Sequence, residues 1–369
     1  MKKQNNFMQK TNVISRYALI LLAGFFLSVS SCKKKDNALA KDTPSDPLSN
    51  TGYIYEDDVY IAGTYTAGGV HYPAYWKNGQ GVELLDLYGN KGAGDVRAIA
   101  VSGTDVYAVG YCSAYSKGII LWKNGKAFKV AEKSTADAIV VLNNDVYVVG
   151  SHMNVSNKSI PMYWKIDGNN SISSKDLTQG AYPNDDVYGL GIAVLNNKIY
   201  ATGPISNMKA VLWTDDGTTI SESILNNTST YAYGDGIAVS GNDVYIGGTE
   251  GGTVKFWKND KDHYVNLGTG RTSKGCIAID DNNIVHMVGG AIFGNSRKAM
   301  YWKDGSAPVT LTTGSANEEA NSIALAGNNV YITGSNQNDR SILWINGKKV
   351  PGFEGSQDIN AEALFVVKK

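Results

Sequence analysis

Residues 97–125 read RAIAVSGTDVYAVGYCSAYSKGIILWKNG, and the same phrase returns along the whole chain. It opens on an Ile-Ala-Val triplet. A turn of Gly, Asn and Asp follows, then Val-Tyr-x-x-Gly, then a run closing on Trp-Lys-Asn-Gly. The Trp anchors the alignment. Trp76, Trp122, Trp164, Trp213, Trp257, Trp302 and Trp344 are separated by 46, 42, 49, 44, 45 and 42 residues, and the 369-residue chain has seven Trp in all. A period in the middle forties marks an array of small sheet units.

Each unit reads as four short strands. Strand A is the triplet: Ile99-Ala100-Val101, Ile139-Val140-Val141, Ile192-Ala193-Val194, Ile237-Ala238-Val239, Ile277-Ala278-Ile279 and Ile323-Ala324-Leu325. Strand B is the Val-Tyr phrase (Val59, Val106, Val146, Ile199, Val244 and Val330), with Val285-His286 in the sixth unit. Strand C carries the Trp. An Asn-Gly or Asp-Gly pair follows it, as at Asn78-Gly79, Asn124-Gly125 and Asp304-Gly305. Such pairs are strong hairpin signals, because a tight turn needs positive φ at both centres. Strand D is shorter. β-Branched and aromatic residues fill the strands, Gly, Asn and Asp punctuate them, and no sustained helical period follows Cys32.

One four-stranded sheet cannot bury its own faces. Arranging seven around an axis buries both faces of each. The expected fold is all-β: a seven-bladed β-propeller of four-stranded antiparallel blades over residues 51–369. The Trp column is expected to fill the wedges between blades. The chain ends in Ala361-Glu362-Ala363-Leu364-Phe365-Val366-Val367, which aligns with strand A, whereas the first unit starts at strand B. The C-terminal strand is therefore expected to pair into blade 1 and close the ring; Gly52-Tyr53-Ile54-Tyr55 is the competing segment.

The N-terminus reads as a targeting segment. Lys2, Lys3, Lys10 and Arg16 precede the apolar run YALILLAGFFLSV at 17–29, which is too short to span a bilayer permanently. The run ends in Val29-Ser30-Ser31-Cys32. This resembles the bacterial lipoprotein signal, which implies cleavage after residue 31 and lipidation of Cys32. Acyl chains there, at roughly 0.8 kcal/mol per buried methylene, would give a membrane anchor. Residues 32–50 are polar, contain two Pro and read as a disordered tether. Cys32-Lys33-Lys34-Lys35-Asp36 resembles the start of Bacteroidota envelope lipoproteins. That implies an outer-membrane lipoprotein, with the side of the membrane left open.

Without the four leader cations, 30 basic residues face 34 acidic ones, and no basic patch follows the tether. Nucleic acid is disfavoured as a partner. Cys112 and Cys276 occupy unmatched positions and read as small buried residues. The repeat also resembles Kelch-type repeats distantly, although the double Gly occurs only at Gly247-Gly248 and Gly289-Gly290 and the Trp lies on a different strand. It is more similar to Tyr-Trp-Lys-Asn-Gly propeller repeats of Bacteroidota lipoproteins, a resemblance that implies fold and envelope location but no activity.

Blade topology puts A–B and C–D turns on one face, B–C and D–A connections on the other. The first set reads as short and uniform. The second reads as individual: 64–73, 111–117 and 291–298 between B and C, and 180–188 and 226–235 between D and A. Function concentrates on variable loops held by a rigid frame. Candidate ligand-binding residues there are Tyr65, Tyr72, Tyr111, Tyr115, Tyr182, Tyr231 and Tyr233, whose rings and hydroxyls suit a saccharide or peptide; the alternative is that they pack their own loops. Two residues before the strand A Ile come Arg97, Asp137, Leu190, Asp235, Gly275, Asn321 and Glu362, each followed by a small residue. The polar members are candidates for the mouth of the central channel. Asp137, Asp235 and Glu362 offer oxygens of the kind calcium uses, against the alternative of a hydrated rim. No HExxH, GxSxG or zinc-ligand spacing occurs, so no catalytic residue, metal ligand or organic cofactor is assigned. The expectation is a membrane-anchored binding module for glycan or protein ligands. A polysaccharide- or peptidoglycan-acting enzyme, or a scaffold, is the alternative.

Overall fold

A computed structural model of the chain describes residues 53–113, 118–206, 208–226, 230–313, 317–336, 341–351, 353 and 359–369. The leader, Cys32, the tether and Tyr115 lie outside the described residues. Seven four-stranded antiparallel sheets make seven blades, each ordered A-B-C-D. In blade 1 the order is Ile359–Val367, Asp58–Ala67, Val70–Lys77, Gln80–Glu83. The last strand therefore does close the ring, with Leu364 opposite Ile61 and Val366 opposite Val59. Residues 53–55 form no strand.

Seven separate apolar clusters, one per wedge, form the core. Each Trp is at most 4 % exposed and packs on the preceding blade. Trp213 of blade 4 meets Tyr163 and Leu177 of blade 3, and Trp257 of blade 5 meets Leu212 and Leu225 of blade 4. The indole nitrogens are anchored locally in places: Trp122 Nε1 donates to Leu85 O at 2.7 Å, and Trp213 Nε1 to Glu222 at 2.9 Å.

The wording of the repeat follows from its contacts. The Lys after the Trp pairs with the Asp that opens strand B: Lys77–Asp58 at 3.0 Å, Lys123–Asp105 at 2.9 Å, Lys165–Asp145 at 2.7 Å and Lys258–Asp243 at 2.7 Å. The same ammonium lies over the Tyr of the Val-Tyr pair, 5.1–5.5 Å from the ring centre. Asn78, Asn124 and Asn346 adopt φ near 50° in their turns, and each side-chain oxygen accepts the amide of the Val in its blade's Val-Tyr pair at 2.8 Å.

The expected contrast between faces holds only in part. Asn78-Gly79, Asn124-Gly125 and Asn346-Gly347 are two-residue C–D turns with both φ positive. Asp304-Gly305 instead sits in a five-residue link between Ser296–Lys303 and Val309–Thr310, with positive φ at Gly305 and not at Asp304. C–D links in blades 3, 4 and 5 are also longer. Conversely, 64–73 and 291–298 are not loops. Strands B and C run on and turn at Gly68-Gly69 and at Gly294-Asn295. The variation resides in D–A connections, which run from the single residues Lys133 and Gly270 to the long stretch 177–190.

Candidate functional site

The strand B Gly and the polar residue of strand A are two halves of one device. In blade 3, Ala136 faces Gly150 and Ala138 faces Val149, so Asp137 is an unpaired bulge. Arg97, Asp235, Asn321 and Glu362 are bulges in the same way. A bulge turns its side chain out of the regular alternation and bends the strand. It also drives a carbonyl against strand B. A Cβ on Gly150 would lie 1.8 Å from Thr135 O, and one on Gly110 1.9 Å from Asp95 O. The small residue after the bulge permits convergence of the inner strands, since a Cβ on Gly236 would stand 3.1 Å from Cys276 Sγ of the next blade. Cys276 and Cys112 are buried and outside any disulfide.

Blade 6 departs from this pattern. Thr272 faces Gly289 and Ile277 faces Met287, so four residues (273–276) oppose Val288 alone. The enlarged bulge carries Lys274 across the channel mouth, where its Nζ pairs with Asp137 Oδ1 of blade 3. This ion pair joins non-adjacent blades. Counting back two residues from Ile277 lands on Gly275, which is why Lys274 escapes a sequence alignment anchored on the Ile.

Two buried carboxyls lie next to the bulges, Asp235 within the field of Lys274 and Asp95 beside Arg97. Burial lifts the Asp235 carboxyl to about 6 against the opposing hydrogen bond from Thr272 Oγ1, at 2.6 Å, and the attraction of Lys274. Burial likewise lifts Asp95 to about 6, with Arg97 opposing and Glu362 reinforcing. Arg97 Nε reaches Asp95 Oδ2 at 2.7 Å. The other rim residues find local partners: Asn321 Nδ2 donates to Ala361 O at 3.4 Å, and Asn360 Nδ2 to Glu362 at 2.8 Å. Asp137, Asp235 and Glu362 are thus engaged separately rather than gathered around one cation. Among the described residues no group of three His, Cys, Asp or Glu could hold a metal ion.

Beside the mouth, on the face of B–C and D–A connections, a cavity of about 780 Å³ opens between blades 2, 3 and 4. Arg97, Asp137, Lys274 and Leu190 line it from the channel side. Ser134, Thr135, Ser151 and Ser159 supply hydroxyls, Asn154 and Asn157 amides, and Tyr111 and Tyr188 aromatic rings. The one-residue D–A turn at Lys133, whose φ is 48°, leaves the space uncovered.

Of the candidate Tyr residues among the described residues, only Tyr111 lines this cavity, 41 % exposed. Tyr65 is a correction: it is 3 % exposed, stacked on Tyr72 at 5.4 Å, and its hydroxyl donates to Glu83. Lys91 lies 4.2 Å from the Tyr72 ring centre, so that ring also packs within blade 1. The Tyr182 hydroxyl donates to Glu222 at 2.7 Å, and burial, reinforced by that carboxylate, pushes it up to about 12. The Tyr233 hydroxyl donates to Met208 Sδ at 2.7 Å. Tyr231 is exposed, away from the cavity lining. Sequence reading missed Tyr188, Lys274 and the Ser/Asn set.

No protein-family model matches the chain, and no curated protein is significantly similar to it. Among solved structures, an α-L-arabinofuranosidase from Clostridium thermocellum is similar at 14 % identity and a TM-score of 0.35, over 60 % of this chain and 95 % of that one. At that level the likeness bears on neither ligand nor activity.

Proposed function

We propose that the propeller is a glycan-binding module whose ligand occupies the cavity between blades 2, 3 and 4, on a chain tethered to the outer membrane through lipidated Cys32. The observation that carries this reading is the composition of the lining. About 780 Å³ lies within the range of ligand pockets. Tyr111 and Tyr188, 41 % and 42 % exposed, offer ring faces to a sugar. Hydroxyls and amides supply directional partners for its hydroxyls. Hydrolysis by paired carboxylates needs two acids flanking one bond, whereas the lining has one among the described residues, Asp137, already paired with Lys274. That favours binding over turnover.

The test is a screen of oligosaccharides against the full-length protein in mild detergent, with calorimetry on any ligand found. Tyr111→Ala and Tyr188→Ala should each weaken binding about tenfold, equivalent to about 1.4 kcal/mol. Unchanged affinity in both variants would remove the cavity from the site. Release of reducing ends from a bound chain would replace the module reading with the enzyme.

A further inference from the structure

Seven repeats in one chain provide an internal comparison, and blade 5 breaks it at two touching positions. Two residues before the Trp, strand C carries Ala74, Ile120, Met162, Val211, Met300 and Ile342 in six blades, and Lys255 in the fifth. Six residues after the first residue of the Val-Tyr pair, strand B carries Tyr65, Cys112, His152, Ile205, Ala291 and Asn336, and Glu250 in the fifth. The two exceptions meet: Lys255 Nζ pairs with Glu250 Oε2, and their side chains are 7 % and 8 % exposed. A buried ion pair returns little net stability compared with apolar packing of the same volume. The other blades show that apolar packing is available here, since Ile120, Val211 and Ile342 are fully buried.

Space accompanies the exchange. A second cavity, about 290 Å³, opens on the blade 4 side of blade 5, near the Gly251-Gly252 hairpin. Besides the ion pair, Leu225, Thr230, Thr253, Asn266, Tyr264, Trp257 and the exposed Lys261 line it. Lys255 Nζ is 4.2 Å from the Tyr264 ring centre and 5.4 Å from that of Trp257. Tyr264 is 47 % exposed, so its ring is open to a ligand as well as to the ammonium.

We propose that this cavity is a separate site for a single neutral pyranose ring. Its volume is at the low end for ligand pockets, enough for one ring and not for a chain. An acceptor and a cationic donor held side by side match two neighbouring sugar hydroxyls, one donating to Glu250 and the other accepting from Lys255. Such hydrogen bonds to charged groups are the stronger kind. The buried pair is neutral overall, so a neutral ligand leaves no buried charge uncompensated, whereas a carboxylate-bearing sugar would compete with Glu250 for Lys255; the third charge of the lining, Lys261, is exposed, where solvent screens its pull on an anion. Thr230, Thr253 and Asn266 supply further polar partners, and Tyr264 an aromatic face. The site is distinct from the cavity of blades 2, 3 and 4 and stands whether or not that one takes an oligosaccharide.

The experiment is ligand-observed NMR followed by calorimetry on the full-length protein in mild detergent, with the methyl glycosides of glucose, galactose and mannose and the methyl glycoside of glucuronic acid. At least one neutral glycoside should bind, and more tightly than the glucuronide. The double variant Glu250→Gln/Lys255→Met places at 255 the residue that blade 6 uses at Met300, and leaves no lone buried charge. It should fold with an unchanged or higher melting temperature and lose the neutral glycoside at least tenfold. Tyr264→Ala should weaken the same ligand, and Tyr111→Ala should not. Failure of every neutral glycoside to bind, preference for the glucuronide, or undiminished binding by the folded double variant would each overturn the proposal. None of those results would touch the oligosaccharide reading of the larger cavity.

Discussion

Asp235→Asn tests the electrostatics of the channel mouth. The folded protein holds the Asp235 carboxyl at about 6 against an ordinary 3.8, chiefly by burial. At about 1.4 kcal/mol per tenfold change in proton affinity, ionising this group costs the folded state about 3 kcal/mol. Because the folded value is the higher one, the native state binds more protons than the unfolded chain between about pH 4 and 6. Stability from this group therefore falls as pH rises through that window, and is level above it. Asn keeps an oxygen for the Thr272 hydroxyl but removes the charge. It also loses the attraction of Lys274. The expected gain is about 1–3 kcal/mol at pH 7.5, within the limit set by the full penalty, and close to zero at pH 4. Asp95 titrates over the same range, but it is present in both proteins and cancels. The assay is urea unfolding of wild type and variant at pH 4.0, 5.0, 6.0 and 7.5, with the m-value checked for constancy. An equal gap at every pH, or a variant weaker than wild type at pH 7.5, would refute the reasoning.

Removing residues 361–369 deletes most of strand A of blade 1; thermal unfolding should move down by more than ten degrees, and an unaltered midpoint would contradict closure by this strand. Trp213→Ala empties a fully buried wedge and should cost about 3–5 kcal/mol in denaturant unfolding. Gly150→Ala sets a Cβ 1.8 Å from Thr135 O; it should destabilise by several kcal/mol, whereas Gly103→Ala, with open space around it but positive φ, should cost only about 1 kcal/mol. Cys32→Ser should abolish incorporation of radiolabelled palmitate, and retention of label would exclude that residue as the lipid carrier.

Blade number, strand order, the wedge role of the Trp and closure by the C-terminus were legible because they depend on features recurring in every unit. A residue repeated seven times reports on the frame. The site was less legible because its determinants are departures from the repeat. Arg97, Asp137 and Asp235 could be placed at the mouth because a fixed count from a recurring Ile reaches them. Lys274 could not, since an enlarged bulge breaks the count. Tyr65 was misjudged because the hairpin of blade 1 continues as strand up to Gly68, so what reads as loop sequence is a packed sheet. Tyr182 and Tyr233 satisfy their hydroxyls on Glu222 and Met208, contacts across chain segments that no local pattern announces. Lys255 and Glu250 were visible as departures all along, but only coordinates reveal that they touch.

The final strand has a consequence for assembly. Strands B, C and D of blade 1 begin at Asp58, and their missing neighbour begins at Ile359. In synthesis or translocation with the N-terminus leading, about 275 residues must emerge after that incomplete sheet before its partner strand begins. Until then its unpaired edge is exposed to other strands, a recognised route to misassembly. The seam is then stitched on both sides: Lys369 Nζ meets Asp58 at 3.3 Å, while Asp57 accepts from Tyr331 of blade 7 at 2.6 Å. Chaperone dependence should accordingly peak late in biogenesis.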